Sequence, residues 1–135
     1  MKNEEQLFWK FGKHFPKGTV LFREGDLGRE MFIVQQGKVQ VRKRVGKTEE
    51  TLAELSAGEF FGEMALLIGM DRSATVEVIE DSKLLVISPE TFGSLLKSDI
   101  EIALKMLKKM AARLRALDEH LEAALLEAKK EKESA

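Results

Sequence analysis

Glu63, Arg72 and Ser73 are the residues whose types and spacing suit chemistry, and Gly62 and Gly69 bracket the helix-forming part of that segment. Arginine carries a planar, permanently charged fork that meets phosphate oxygens two at a time. Ser73 adds a hydroxyl beside it. An ionised glutamate only accepts hydrogen bonds, so Glu63 suits a sugar hydroxyl rather than a phosphate. The two glycines allow a tight turn or a close backbone approach. Between them Met64, Ala65, Leu66 and Leu67 suit one or two turns of buried helix. A helix start presents unpaired N–H groups and a positive dipole end, which favour a phosphate. Together these residues describe a pocket for a small anion that also carries a hydroxyl. For any one of them a surface pair of Glu63 with Arg72, or an ordinary glycine turn, is the better explanation; for the set, the pocket is.

The elements that must position this segment are mostly strands. Leu7, Phe8, Phe11 and Phe15 fall at helical spacing, which predicts a short amphipathic helix over residues 4 to 15, ended by Pro16-Lys17-Gly18. From Thr19 to Ile87 the pattern changes. Thr19-Val20-Leu21-Phe22 and Met31-Phe32-Ile33-Val34 read as strands, with a turn signal at Glu24-Gly25-Asp26-Leu27-Gly28 between them. Gln36-Gly37 reads as the next turn. Val39 and Val41 then alternate with charged neighbours, Gly46 marks a reversal, and Leu52 and Leu55 lie on a following strand. After the segment, Ala74–Ile79 and Lys83–Ile87 read as two further strands. Many short strands with glycine turns and no helical crossovers suggest a sandwich or jelly roll.

Ser88-Pro89-Glu90 has the form of a helix start, serine as cap and proline in the first position. A second, much longer helix is expected from Asp99 to near Glu133. Ile100, Leu107, Leu114, Leu121 and Ala128 recur every seven residues, and Ala103, Met110, Leu117 and Ala124 follow three residues later in each heptad. That is an a/d seam, and it points to a parallel homodimer through this helix. Leu104, Ala111 and Leu125 widen the seam, which also suits packing on the domain's own strands.

Composition sets the remaining bounds. At 135 residues the chain is read as one domain. A net charge of −1 argues against a dedicated nucleic-acid binder. Without cysteine the chain carries no disulfide, iron–sulfur cluster or thiol switch. Its two histidines, His14 and His120, fall near opposite ends, so neither a catalytic cluster nor a metal site is expected. No apolar run reaches membrane-spanning length and the first residues form no signal-peptide core, so a cytoplasmic protein without a membrane partner is expected.

The segment also resembles a known one. Phe61-Gly62-Glu63-Met64-Ala65-Leu66 followed by Arg72-Ser73-Ala74-Thr75-Val76 is similar to the phosphate-binding cassette of cyclic nucleotide-binding domains, as found in catabolite activator proteins, cAMP-dependent kinase regulatory subunits and cyclic nucleotide-gated channels. The resemblance extends over roughly residues 10 to 117. It implies a mainly β fold with flanking helices: an antiparallel β jelly roll (double-stranded β-helix) followed by a long C-terminal helix. In that frame residues 1–17 hold the N-terminal helix, 18–88 the β-roll with its cassette at 60–76, and 89–133 the C-terminal helices. The resemblance implies a cyclic nucleoside monophosphate as ligand, cAMP favoured and cGMP open, with no cofactor. Arg72, Ser73 and Ala74 would meet the cyclic phosphate with the cassette backbone at Met64 and Ala65, while Glu63 and Gly62 would take the ribose hydroxyl. Arg113 would pair with the ribose-binding glutamate. Leu117 and Asp118 stand where catabolite activators place a threonine–serine pair against the base. That family continues into a DNA-binding segment. This chain stops at Ala135, so no direct DNA contact is expected, and output would pass through the long helix or an effector protein. The competing expectation is a structural or dimerisation module of the same fold.

Overall fold

The structure is a computed structural model and describes residues 12–134. Six strands, β1 (Gly12–Phe15), β2 (Val20–Phe22), β3 (Met31–Val45), β4 (Thr48–Leu55), β5 (Phe60–Phe61) and β6 (Thr75–Ile87), form one sheet whose spine is β1-β6-β3-β4. Short β2 and β5 pair with β6 and β3. Every pairing is antiparallel. Among the described residues three helices, α1 (Glu63–Ile68), α2 (Pro89–Ser98) and α3 (Ile100–Ser134), interrupt or follow the sheet. A mainly antiparallel β fold with a long C-terminal helix is what the cassette's surroundings led one to expect.

The chain falls into two compact units, one ending at Ser94 and one beginning at Leu95. The first holds the core. Phe32, Val34, Val39, Leu55, Phe61, Val76, Val78 and Leu84 form its buried cluster, with Phe15, Leu21, Phe22, Val41 and Val86 packed against it. Most come from β3 and β6, whose apolar residues interdigitate along a shared ladder from Met31↔Ile87 to Arg42↔Thr75.

Two expectations are corrected here. Residues 12–15 are a strand rather than the end of a helix. Phe11 and Phe15 are four apart, as on a helix face, but Gly12–Phe15 pairs with Leu85–Ser82 and only Gly12 and Phe15 are half-buried. A partner nearly seventy residues away decides what a four-residue stretch cannot show locally. The remainder of the expected helix, residues 4–11, lies outside the described residues. The second correction concerns strand count. The runs around Gln36-Gly37, and those around Asp81, are not separate strands; each pair is one long strand with an irregular register. Gly37 has φ 94°, yet it makes a bulge and not a reversal. Buried Ser82 fills the gap: its Oγ accepts the Lys38 N–H at 3.1 Å and donates to the Glu80 carbonyl at 2.6 Å. Gly46 does reverse the chain, between β3 and β4.

Ser88 and Asp99 cap as their types predict. Ser88 Oγ accepts the Thr91 N–H at 3.1 Å, and Asp99 Oδ1 accepts the Glu101 N–H at 3.1 Å. The 35 residues of α3 run roughly 50 Å. Ile100, Leu107, Leu114, Leu117 and Leu121 each remain between 58% and 69% exposed, while Met106 is buried. Among the described residues no helix is long and apolar enough to cross a membrane.

The bulge yields a stability prediction. A Cβ at Gly37 would overlap Ser82 Oγ and stand 2.6 Å from the Asp81 carbonyl, at a φ that side chains avoid. Gly37→Ala should therefore cost roughly 2–4 kcal/mol in urea denaturation. An unchanged midpoint would mean the two strands do not pack there as described.

Candidate functional site

The cassette lies in the first unit, between β5 and β6. Gly62 caps α1 in the left-handed conformation (φ 83°, ψ 5°) and Gly69 ends it in the same region, with its N–H bonded back to Ala65. The helix is less buried than its composition predicts. Only Ala65 and Leu66 are buried; Met64, Leu67, Ile68 and Met70 are 46% to 68% exposed. Glu63 begins the helix, where a carboxylate favours the dipole, and is half-buried. Ser73 is exposed and Ala74 buried, just before β6.

Arg72 is the unusual residue. Its side chain is 3% exposed, so a charged fork sits inside the fold. Nη1 donates to the Glu30 carbonyl at 2.8 Å and, at 3.5 Å, to that of Gly62. Nη2 reaches Glu30 Oε2 at 3.4 Å, a long contact to a carboxylate that is itself 49% exposed. Nε is buried with no hydrogen-bond partner. The guanidinium stands over the Phe22 ring, 4.1 Å from its centroid, and Phe22 rests on Phe32 and Phe61. Burial pushes the arginine below its ordinary value, opposed by Glu30 and Asp26; the group stays charged at any working pH. Removing a cation from water costs several kcal/mol unless it is well paired. One long carboxylate contact, a π face and two carbonyls leave this one short of an anion.

The backbone holds the arginine in that position. Its N–H donates to the Asp26 carbonyl at 2.9 Å, and its carbonyl accepts the Gly25 N–H at 2.8 Å. Asp26 Oδ2 in turn accepts the Arg23 N–H at 2.9 Å and the Glu24 N–H donates to Thr75 Oγ1 at 2.9 Å. The turn before β3 and the strand after the cassette are thereby stapled together.

The structure thus brings Gly62 and Arg72 together, as their types suggest, and adds three residues that sequence reasoning missed: Phe22, Gly28 and Glu30. Arg72 is not one half of a surface pair with Glu63; it is buried, and its ion pair is with Glu30. A Cβ at Gly28 would stand 2.7 Å from Arg72 Nη2 and 2.9 Å from Nε. The open edge of the fork therefore faces the space that a side chain at position 28 would fill. The only signal for these residues was the turn composition Glu24-Gly25-Asp26-Leu27-Gly28, which says nothing about an arginine more than forty positions on. Arg113, Leu117 and Asp118 lie on α3 in the second unit; Arg113 is half-buried, Asp118 exposed and Leu117 63% exposed. Among the described residues no group of three or more histidine, aspartate or glutamate side chains is placed to hold a metal.

The tight fit at position 28 is testable. Gly28→Ala should cost about 1–3 kcal/mol through overlap with the guanidinium. The same change in an Arg72→Ala background should cost close to nothing. Equal costs in both backgrounds, measured by urea denaturation as a double-mutant cycle, would place the strain elsewhere.

Known proteins share this fold. The profile of the cyclic nucleotide-binding domain family matches residues 12–99. The chain is 38% identical over 109 residues to the cyclic AMP receptor protein of Thermus thermophilus, an alignment covering 80% of this chain and 50% of that protein. The crystal structure of the Thermus thermophilus catabolite activator protein superposes with a TM-score of 0.77 at 35% identity, over 87% of this chain and 56% of the other. A bacterial protein solved in work on a cyclic-GMP-dependent signalling pathway gives a TM-score of 0.68 at 29% identity, over 84% of this chain and 94% of the other. The chain spans half the length of the Thermus receptor. A buried, under-paired arginine behind a glycine-capped cassette on an antiparallel β fold, together with these matches, places the chain in the cyclic nucleotide-binding domain family.

Proposed function

We propose that the chain is a sensor domain that binds a cyclic nucleoside monophosphate, cAMP in preference to cGMP, and passes occupancy on through α3. The observation that carries this reading is Arg72. Its fork is almost wholly buried, one N–H is unpartnered, and its counter-ion is long and half-exposed. A cyclic phosphate supplies what that environment lacks: a compact anion with several acceptor oxygens. Ser73, next in sequence and exposed, adds a hydroxyl donor, and the start of α1 adds N–H groups. Glu63, at the head of the same helix, suits the ribose hydroxyl. The domain needs no catalytic group for this role. The preference for cAMP rests on the Arg72-Ser73-Ala74 sequence and on likeness to a protein named for cyclic AMP. The structural relative from cyclic-GMP work keeps the second nucleotide in the test.

Calorimetric titration with cAMP and with cGMP tests the reading. Wild-type protein should bind, and Arg72→Ala should lose roughly 2–5 kcal/mol, or about thirtyfold to several-thousandfold in Kd. No heat with either nucleotide would favour a structural module of the same fold.

Output is assigned to α3 because its apolar stripe is exposed over most of its length. A homodimer through this seam covers it. Charge favours a parallel pair: Arg113 and Asp118, and likewise Glu127 and Lys132, are five residues apart at flanking positions that face each other across a parallel seam. That arrangement gives Arg113 and Asp118 a second reading beside a ligand-binding one. Sedimentation should show a dimer that Leu114→Lys with Leu121→Lys dissociates; a wild-type monomer at tens of micromolar would remove the dimer from the proposal. Nucleotide should also change hydrogen-exchange protection over residues 99–130, and identical protection would reject the coupling to α3.

A further inference from the structure

We propose that Glu30 sets the ligand affinity of this domain, because its carboxylate competes with the ligand's phosphate for Arg72. The inference rests on the cyclic-nucleotide reading above and goes beyond it by naming a residue outside the cassette.

Glu30 holds the arginine in two separable ways. Its carbonyl accepts Nη1 at 2.8 Å, and that contact is anchored because the next residue, Met31, begins β3 and is fully buried. Its carboxylate contacts Nη2 at 3.4 Å through one oxygen only, on a side chain half in solvent. The first contact orients the fork. The second supplies charge and is weak, since an arginine–carboxylate pair at its best is bidentate at roughly 2.7–2.9 Å. The carboxylate therefore compensates the buried cation in part and can move away into water. An incoming phosphate meets the same Nη2 and the unpartnered Nε beside Gly28. Two anions on one fork repel, so the carboxylate must withdraw or share. Binding is weaker by whatever that exchange costs, and the protein without ligand is more stable by the same contact.

Glu30→Gln separates competition from support. Glutamine keeps the main-chain carbonyl and the side chain's length while removing the charge. In the full chain, Kd for cAMP should fall by about tenfold relative to wild type, the equivalent of 1.4 kcal/mol. The variant's Tm without nucleotide should drop, while its Tm at saturating nucleotide should approach that of wild type. A residue that merely positions Arg72 would give the opposite sign: weaker binding and a lower Tm in both conditions. Equal or weaker nucleotide binding by Glu30→Gln overturns the proposal. If wild type binds neither nucleotide, the function proposed above fails, and the competition is then read with inorganic phosphate. Phosphate should stabilise Glu30→Gln more than wild type and leave Arg72→Ala unmoved; equal stabilisation of the first two overturns the proposal on its own terms.

Discussion

The site in the first unit is built around one cation held out of water. A buried guanidinium is costly, and its surroundings explain otherwise unrelated features. Gly62 must be a glycine both for its left-handed backbone and because a Cβ there would stand 2.9 Å from the Glu30 carbonyl and 3.0 Å from Arg72 Nη1. Gly28 must be one because its neighbour is the other edge of the fork. Phe22 lies under the charge, and its own support comes from the stacked pair Phe32–Phe61, 5.0 Å apart and 8° from parallel. The turn at Arg23–Asp26 is bonded to both sides of the arginine's backbone. Core, turn and cassette are thus one construction around a single group. Its remaining deficit of negative charge is the chemical content of the site.

A contrasting arginine shows why that deficit matters. Arg42 on β3 lies 2.6 Å from Glu49 and 2.7 Å from Glu77, across the strands on either side. Its hydrogen bond to Glu77 raises it above its ordinary value. Both arginines leave Nε without an aligned hydrogen bond, but Arg42 has two close carboxylates from its own sheet to balance its charge. Arg72 has deeper burial and poorer pairing. The difference is one of environment, since the residue type is the same, and charge alone in the sequence would not separate the two.

Much of this was legible in the sequence. The cassette is local: glycine, helix and arginine lie within ten residues, and local spacing reports them. The helix caps at Ser88 and Asp99 were legible for the same reason. What escaped depended on distance. Glu30 and Gly28 meet Arg72 only after β3 and β6 have paired, and no local pattern marks a glutamate as the counter-ion of a residue forty-two positions away. Gly37 escaped differently. A left-handed glycine serves a reversal or a bulge equally well, and the outcome turned on buried Ser82 standing ready to bridge the gap. The apolar residues of α1 looked like core because six residues make too short a window to tell a buried face from an exposed one.

The two units differ in what their surfaces offer. The first offers charge, and charge alone does not distinguish one nucleotide from another, since every cyclic nucleotide carries the same phosphate. On the function proposed here, Glu63 adds a test for a ribose hydroxyl and still leaves the base unread. On that function, discrimination between bases falls to groups beyond the cassette. The second unit offers the exposed leucine seam of α3. On the proposed function, a ligand is felt at that seam only to the extent that it favours one arrangement of α3 over another, since an effector shifts an equilibrium by no more than its differential affinity for the two states.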